Sequence, residues 1–281
     1  MLRVRGGFSI HPQWMIFHVA TISAATAPSV SACVLDPDTG SLITSLNADR
    51  ARPTASVGKV LLLIAVARLL ARGTFDADMN IPRLPEDAVA DSGLWQHLQE
   101  RSLSVPDLAV LVGAVSDNLA TNVLLRAVDL SAVGAVAEML DLRMTRLHDR
   151  VRDIRGPADP PSLSTGTAAE LAGLFARLHR GEVFGPVISD RVLGWLNLDT
   201  DTSMVASAFG LDPLAHTTPD RGWWLAHKTG TDTGVRADVG LVRGPRRSVS
   251  YAVLAEFDDA DRDAVLAVMR DWGAEIRAYT G

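Results

Sequence analysis

Thr54-Ala55-Ser56-Val57-Gly58-Lys59 places a hydroxyl and an amine three residues apart at the head of a long apolar run. A serine hydroxyl is a poor nucleophile until a neighbouring base takes its proton, and a desolvated lysine amine is able to do so. On a helix, residues three apart share a face. A helix N-terminus adds unpaired backbone N–H groups and a positive dipole end where negative charge would develop. Ser-x-x-Lys alone is a weak signal, but the lysine census sharpens it. Of the 27 basic residues only two, Lys59 and Lys228, are lysines. Compositional bias explains why lysine is scarce, not where the two survivors sit. Arginine holds its proton in a protein, whereas burial tunes lysine. Lys228 opens Lys228-Thr229-Gly230, and Ser116-Asp117-Asn118 lies between the two lysines.

These groups need elements to hold them. The run 60–70 is polar only at Arg68 and is followed by Gly73, which predicts a helix buried on nearly all sides. Strands are expected at 30–35 and 41–45, joined by the turn residues of 36–40, and again at 223–227, 235–242 and 248–257. Helices are expected at 104–115, 119–128, 133–140, 167–181, 190–196 and 259–279, with Pro106 in a first turn and a capping box at Thr167. Segments 74–93 and 141–166 are rich in turn residues and charge and read as loop. Strands thus come from both ends of the chain and helices from its middle. That pattern predicts an α+β fold: an antiparallel sheet flanked by helices, with an inserted all-helical subdomain. Residues 1–52 and 208–281 are assigned to the sheet part and 53–207 to the helical part, with the active site between them.

Composition narrows the class of partner. A 47% hydrophobic and 21% charged chain of 281 residues fits a globular protein with a substantial core. A net charge of -6 argues against nucleic acid or an anionic membrane surface. Cys33 is the single cysteine, so no intrachain disulfide forms. Seven histidines show no metal-ligand spacing, and no metal or cofactor is called for. Arg3 and Arg5 resemble a signal-peptide n-region, but His11, Pro12, Gln13 and His18 break the apolar stretch around Trp14–Val19. Val30-Ser31-Ala32-Cys33 resembles a lipoprotein cleavage site, yet cleavage there would cut the first strand. The expectation is an uncleaved N-terminal segment in residues 1–28, a cytoplasmic location and no membrane span.

Ser-x-x-Lys, Ser-Asp-Asn and Lys-Thr-Gly, in that order, make the chain resemble the superfamily of class A β-lactamases and penicillin-binding proteins over about residues 30–281. The likeness continues through Leu119-Ala120-Thr121-Asn122, and the 60-residue spacing from Ser56 to Ser116 also fits. The resemblance implies roles. Ser56 becomes acylated, Lys59 accepts its proton, Ser116 passes a proton to the leaving nitrogen, and Lys228 supplies fixed positive charge beside the substrate carboxylate. Asn118 binds the substrate amide, Thr229 and Gly230 line the cleft, and the backbone N–H groups of Ser56 and Thr231 form the oxyanion hole. Arg236 is either a carboxylate partner or a surface arginine. His227, Trp223 and Trp224 read as sheet packing.

One departure is as informative as the match. The family's Glu-x-x-Leu-Asn motif, whose glutamate activates the deacylating water, has no counterpart here. Thr145-Arg146-Leu147-His148-Asp149-Arg150 resembles the approach to it, but no glutamate occurs from Asp141 to Ala169. Asp149, Asp153 and Asp159 are the available substitutes, each one methylene shorter. The expected activity is therefore an active-site-serine hydrolase acting on a small β-lactam, ester or amide, with slow deacylation. An acyltransferase or esterase using the same serine, and a penicillin-binding sensor that is acylated once, are the alternatives.

Overall fold

A computed structural model of the chain describes residues 29–215 and 217–281; the N-terminal segment 1–28 lies outside the described residues. Five antiparallel strands form the main sheet: β1 (Ser29–Leu35), β2 (Leu42–Leu46), β3 (Trp224–Asp232), β4 (Val235–Arg243) and β5 (Ser248–Glu256). Their order is β2-β1-β5-β4-β3, so the first strand pairs with the last, Ser29 opposite Glu256. The strand expected to stop at residue 227 runs on through Lys228-Thr229-Gly230 to Asp232, because Lys228 to Asp232 keep pairing with Val239 to Val235. A two-residue turn then reverses the chain, with Gly234 at φ +69°.

The central strands are apolar on both faces because both faces are covered. Ala226, Ala237, Val239, Leu241, Ala252 and Leu254 face a core shared with six helices. Leu225, Val242, Val249, Tyr251 and Val253 face the C-terminal helix. The six are α1 (Lys59–Ala71), α2 (Val105–Val115), α3 (Asn118–Val128), α4 (Leu130–Met139), α5 (Ala168–His179) and α6 (Pro186–Leu196). The last, α7 (Arg262–Thr280), buries Val265, Met269, Trp272 and Ile276 against the outer face of the sheet.

Nine consecutive residues of α1, from Lys59 to Ala67, are buried, and α2, α3, α4 and α6 surround it. That explains a run with almost no polar face. α6 begins at Pro186 rather than 190, since Gly185 at φ +101° lets the chain turn and proline is preorganised for a first helical position. α5 follows the helical middle in sequence but lies on the sheet, packed onto β5, β1 and β4. Cys33 is buried in β1, and burial pushes its thiol up to about 11. Among the described residues, no single helix is long and apolar enough to cross a membrane.

Candidate active site

Ser56 lies in a 3₁₀ turn, Ala55–Gly58, that runs directly into α1. α1 itself begins at Lys59, so serine and lysine flank the junction rather than sharing one α-helical turn. Ala55 has φ +47°, an uncommon conformation for a residue with a Cβ. Its carbonyl is held by the Ser164 hydroxyl at 2.6 Å, while the Thr54 and Ser164 hydroxyl oxygens are 2.7 Å apart. Since Ser164 spends its proton on Ala55, Thr54 is the donor in that second bond. A small ribbon pairing Pro53 with Thr165 brings this clamp into place.

Lys59 is fully buried, and its Nζ has three partners: the Ser116 carbonyl at 2.7 Å, Asn118 Oδ1 at 2.8 Å and Ser116 Oγ at 3.1 Å. Two of these only accept. An ammonium donates to all three, whereas a neutral amine donates to the carbonyl and the amide oxygen and can take a proton from the Ser116 hydroxyl. The hydrogen bonds accommodate both forms, and burial favours the uncharged one. Desolvation and the positive charge of Lys228 hold the Lys59 ammonium well below the ordinary lysine range, against the opposing pull of Asp117 and Asp199.

Ser116 closes α2 in a left-handed conformation, φ 54° and ψ 33°, which puts its hydroxyl and its carbonyl within reach of Lys59. Asp117 is architectural. Its buried carboxylate caps α3 through the Ala120 N–H at 2.8 Å and holds the N–H groups of Leu94 and Trp95 at 2.7 and 2.8 Å. Asn118 also donates to the Ala90 carbonyl, tying the same turn to the 90–95 loop.

Lys228 projects from β3, wholly buried, with its Nζ 3.5 Å from Asp199 and 3.2 Å from the Thr229 carbonyl. The Thr229 N–H, on the free edge of β3, donates to Asp199 at 3.3 Å. By the two-residue period of a strand, the Thr231 N–H lies on that same free edge. Gly230 is required by close approach: a Cβ there would sit 2.2 Å from the Thr54 carbonyl oxygen. Gly230→Ala is expected to push β3 from the serine turn, lowering Ser56 labelling at least tenfold along with the melting temperature; equal labelling and stability would refute the contact. Beneath β3, His227 and Tyr251 both bond Asp238, at 3.0 and 2.8 Å. Asp238 and Asp199 raise the His227 pKa against the larger effect of desolvation.

Ser56, Ser92 and Thr231 stand between two lobes of one cleft. The larger, about 390 Å³, is lined by Asn118, Val89, Val151 and Leu163 together with Asp91, Asp153, Asp232, Arg152 and Arg155. The smaller, about 150 Å³, is lined by Ser116, Asp199, Thr200, Asp201 and Thr229. Of the three aspartates considered as substitutes, only Asp153 borders the lobe with Ser56, and its carboxylate accepts the Ala90 N–H at 2.8 Å. Asp149 is bound by Arg152 and Arg155 at 2.6 and 2.9 Å, and Asp159 pairs with Arg152. Val151 also lines this lobe. Both its backbone groups are fixed by the Asn122 side chain, at 3.0 and 2.8 Å. Arg236 lines neither lobe; its Nη1 folds onto the carbonyls of Asp232 and Val235, both at 2.8 Å.

The site therefore uses Asp199, Asn122 and Ser164, which no motif marked. Asn122 had a signal, four residues after Asn118 on one face of α3. Asp199 follows the end of α6 in a turn and had none.

Two kinds of comparison place the fold among known proteins. A β-lactamase from Sphaerobacter thermophilus DSM 20745 superimposes with a TM-score of 0.79 at 27% identity, over 92% of this chain and 93% of that one. An ancestral (GNCA) class A β-lactamase matches with a TM-score of 0.75 at 27% identity, over 90% and 94%. PBP-A, at 18% identity and a TM-score of 0.79 over 93% of each chain, shares the fold. The model of the beta-lactamase enzyme family matches residues 18–280. With a match over nearly its whole length, the chain belongs to the beta-lactamase enzyme family.

Proposed function

We propose that the protein is a serine hydrolase that forms an acyl-enzyme on Ser56 from a β-lactam, ester or amide and releases the acyl group slowly. The observation that carries this is the fully buried Lys59 amine, 3.1 Å from the Ser116 hydroxyl and directly after the serine turn. Ser56 loses its proton to Lys59 as its oxygen attacks the carbonyl. The N–H groups of Ser56 and Thr231 receive the developing oxyanion, each donor being worth about 3 kcal/mol. The leaving group takes a proton from Ser116, which Lys59 replenishes. Burial first, and the positive charge of Lys228 second, lower the Lys59 pKa and so favour its base form.

Slow release follows from the lining of the larger lobe. Val89, Val151 and Leu163 share it with Asp91, Asp153, Asp232, Arg152 and Arg155, and no glutamate among the described residues borders it. With no glutamate to activate water, transfer of the acyl group to an amine or alcohol is the second reading. PBP-A offers a parallel on a shared fold, since one of its variants is an acyl-enzyme complex with penicillin G. Intact-mass measurement after incubation with a penicillin should show one adduct that persists for many minutes and is absent in Ser56→Ala. Labelling that survives the substitution overturns the proposal. An added amine that accelerates release identifies a transferase, and complete absence of release identifies a sensor.

A further inference from the structure

We propose that the preferred acyl donor carries a carboxylate at the far end of its acyl group, received by Arg83 and Arg101 in a second cavity beside the larger lobe. This deepens the acyl-enzyme reading above and rests on it. The second cavity, about 560 Å³, meets the larger lobe along Val89, Ala90 and Asp153, which line both. In the acyl-enzyme reading Asn118 holds the amide of the donor, and its side chain also donates to the Ala90 carbonyl at 3.2 Å. Ser116 and Thr229, on the leaving-group side, line the smaller lobe instead. An acyl chain that continues beyond Asn118 therefore passes Ala90 and enters the second cavity.

A short two-stranded ribbon, Asn80–Pro82 against Ser102–Ser104, brings the two arginines together, and the Arg83 N–H donates to the Arg101 carbonyl at 3.0 Å. The Arg83 guanidinium lies over the Trp95 ring, 5.7 Å from its centre, and donates to the carbonyls of Trp95 and Leu98 at 2.8 and 3.1 Å. Those partners are neutral, so the charge is held in place without being cancelled. Arg101 is exposed and lines the same cavity. None of the ion pairs among the described residues includes either arginine.

The single carboxylate in the lining is Asp153, which accepts the Ala90 N–H at 2.8 Å. Two guanidiniums against one carboxylate leave the lining positive. Nearby, Glu100 is turned onto the N–H groups of Arg101 and Ser102, and Asp87 is held by Arg126. Arg152 and Arg155, the cations of the larger lobe, are already paired with Asp149. Leu84, Pro85, Val89 and Leu119 give the cavity apolar surface for the methylenes of a chain. With a β-lactam donor the bond from Ser56 Oγ to the carbonyl carbon forms and the bond to the ring nitrogen breaks. The Ser56 proton passes through Lys59 and Ser116 to that nitrogen. The distal carboxylate takes no part in these steps, so its effect lies in the second-order rate constant.

The probes are cephalosporins of one nucleus whose side-chain amine carries a glutaryl, adipyl or suberyl group, each as the free acid and as its terminal amide. Acylation of Ser56 at low salt, followed by intact mass, is expected to be about fivefold faster for the acid at the best chain length, the gap narrowing as salt screens it. Arg101→Gln should lower that ratio about twofold, and Arg101→Glu should bring it to about one or below, in variants that unfold at the parent temperature. Equal rates for acid and amide at every length, a ratio insensitive to salt, or a ratio unmoved by both variants overturns the inference. If no compound acylates the protein, the serine chemistry fails separately. Calorimetric binding to Ser56→Ala then reads the preference: tighter binding of an acid, lost on adding Arg101→Glu, supports it, and any other result overturns it.

Discussion

Replacing Lys59 by arginine is expected to abolish acylation of Ser56, whereas Lys228→Arg should weaken it and leave measurable labelling. The two lysines are alike in burial and opposite in partners. Lys59 is buried against a carbonyl, an amide oxygen and the Ser116 hydroxyl, with no carboxylate of the described residues within bonding distance to hold its charge. Arginine does not give up its proton, so the base disappears, a loss on the order of 10²–10⁴ in rate. Lys228 faces Asp199, and an arginine there preserves the charge that Asp199 balances.

The pH profile separates the roles independently of size. With its pKa held well below 10.5 by burial, Lys59 gains its lone pair at lower pH than an ordinary lysine, so labelling rises with pH up to that pKa and falls about tenfold per unit on its acid side. Removing the charge in Lys228→Ala lets the Lys59 pKa rise, which moves the inflection to higher pH. Both arginine variants must first unfold at the parent temperature. Equal losses in two well-folded variants would mean that base and fixed charge are not divided between these residues. Substantial labelling in Lys59→Arg would remove Lys59 as the required base.

The second large effect is expected at Val151. Its backbone is fixed at both ends of the peptide unit by Asn122, and its position borders the lobe that holds Ser56. Val151→Glu adds a carboxylate to the lining of the lobe that holds Ser56, where no glutamate now stands. Release of the Ser56 adduct should rise by about 10² or more, within the usual 10²–10⁴ contribution of a general base. The adduct formed with a chromogenic cephalosporin would then change from a one-equivalent burst to steady turnover. A folded Val151→Glu protein with unchanged release would show that the missing base is not what limits deacylation. Fast turnover in the parent would point to Asp153, the aspartate that borders the same lobe.

What could be read in advance follows from how each residue announces itself. Ser56, Lys59, Ser116, Asn118 and Lys228 sit in short motifs at element ends, where the residue types reveal their chemistry. The strands and helices were readable because apolar periodicity reports burial. It does not report what covers a face, which is why α5 groups with the helices in sequence and with the sheet in space. Asp199 was silent because aspartate in a turn is common, and only the fold shows that it pairs with Lys228. Ser164 was silent for the same reason: a loop serine has no period, and its bond to Ala55 crosses 109 positions. Arg236 stands near the cleft in sequence, yet the tight turn after β3 offers it two carbonyls first.

The pairing of β1 with β5 has a consequence for how the chain is made. Ser29 and Glu256 are neighbours in space, so the sheet stays open until almost all of the polypeptide has been synthesised. At roughly 5–20 residues per second, about ten seconds or more separate the emergence of the serine turn from that of its closing strands. Throughout that interval Ser56 exists without Lys228 and without Thr231, and the apolar flank of α1 has only other helices to lean on. A growing chain therefore lacks the residues that the proposed acylation requires. Contacts of such long sequence separation form late and slowly, so reactivity arrives together with topology rather than before it.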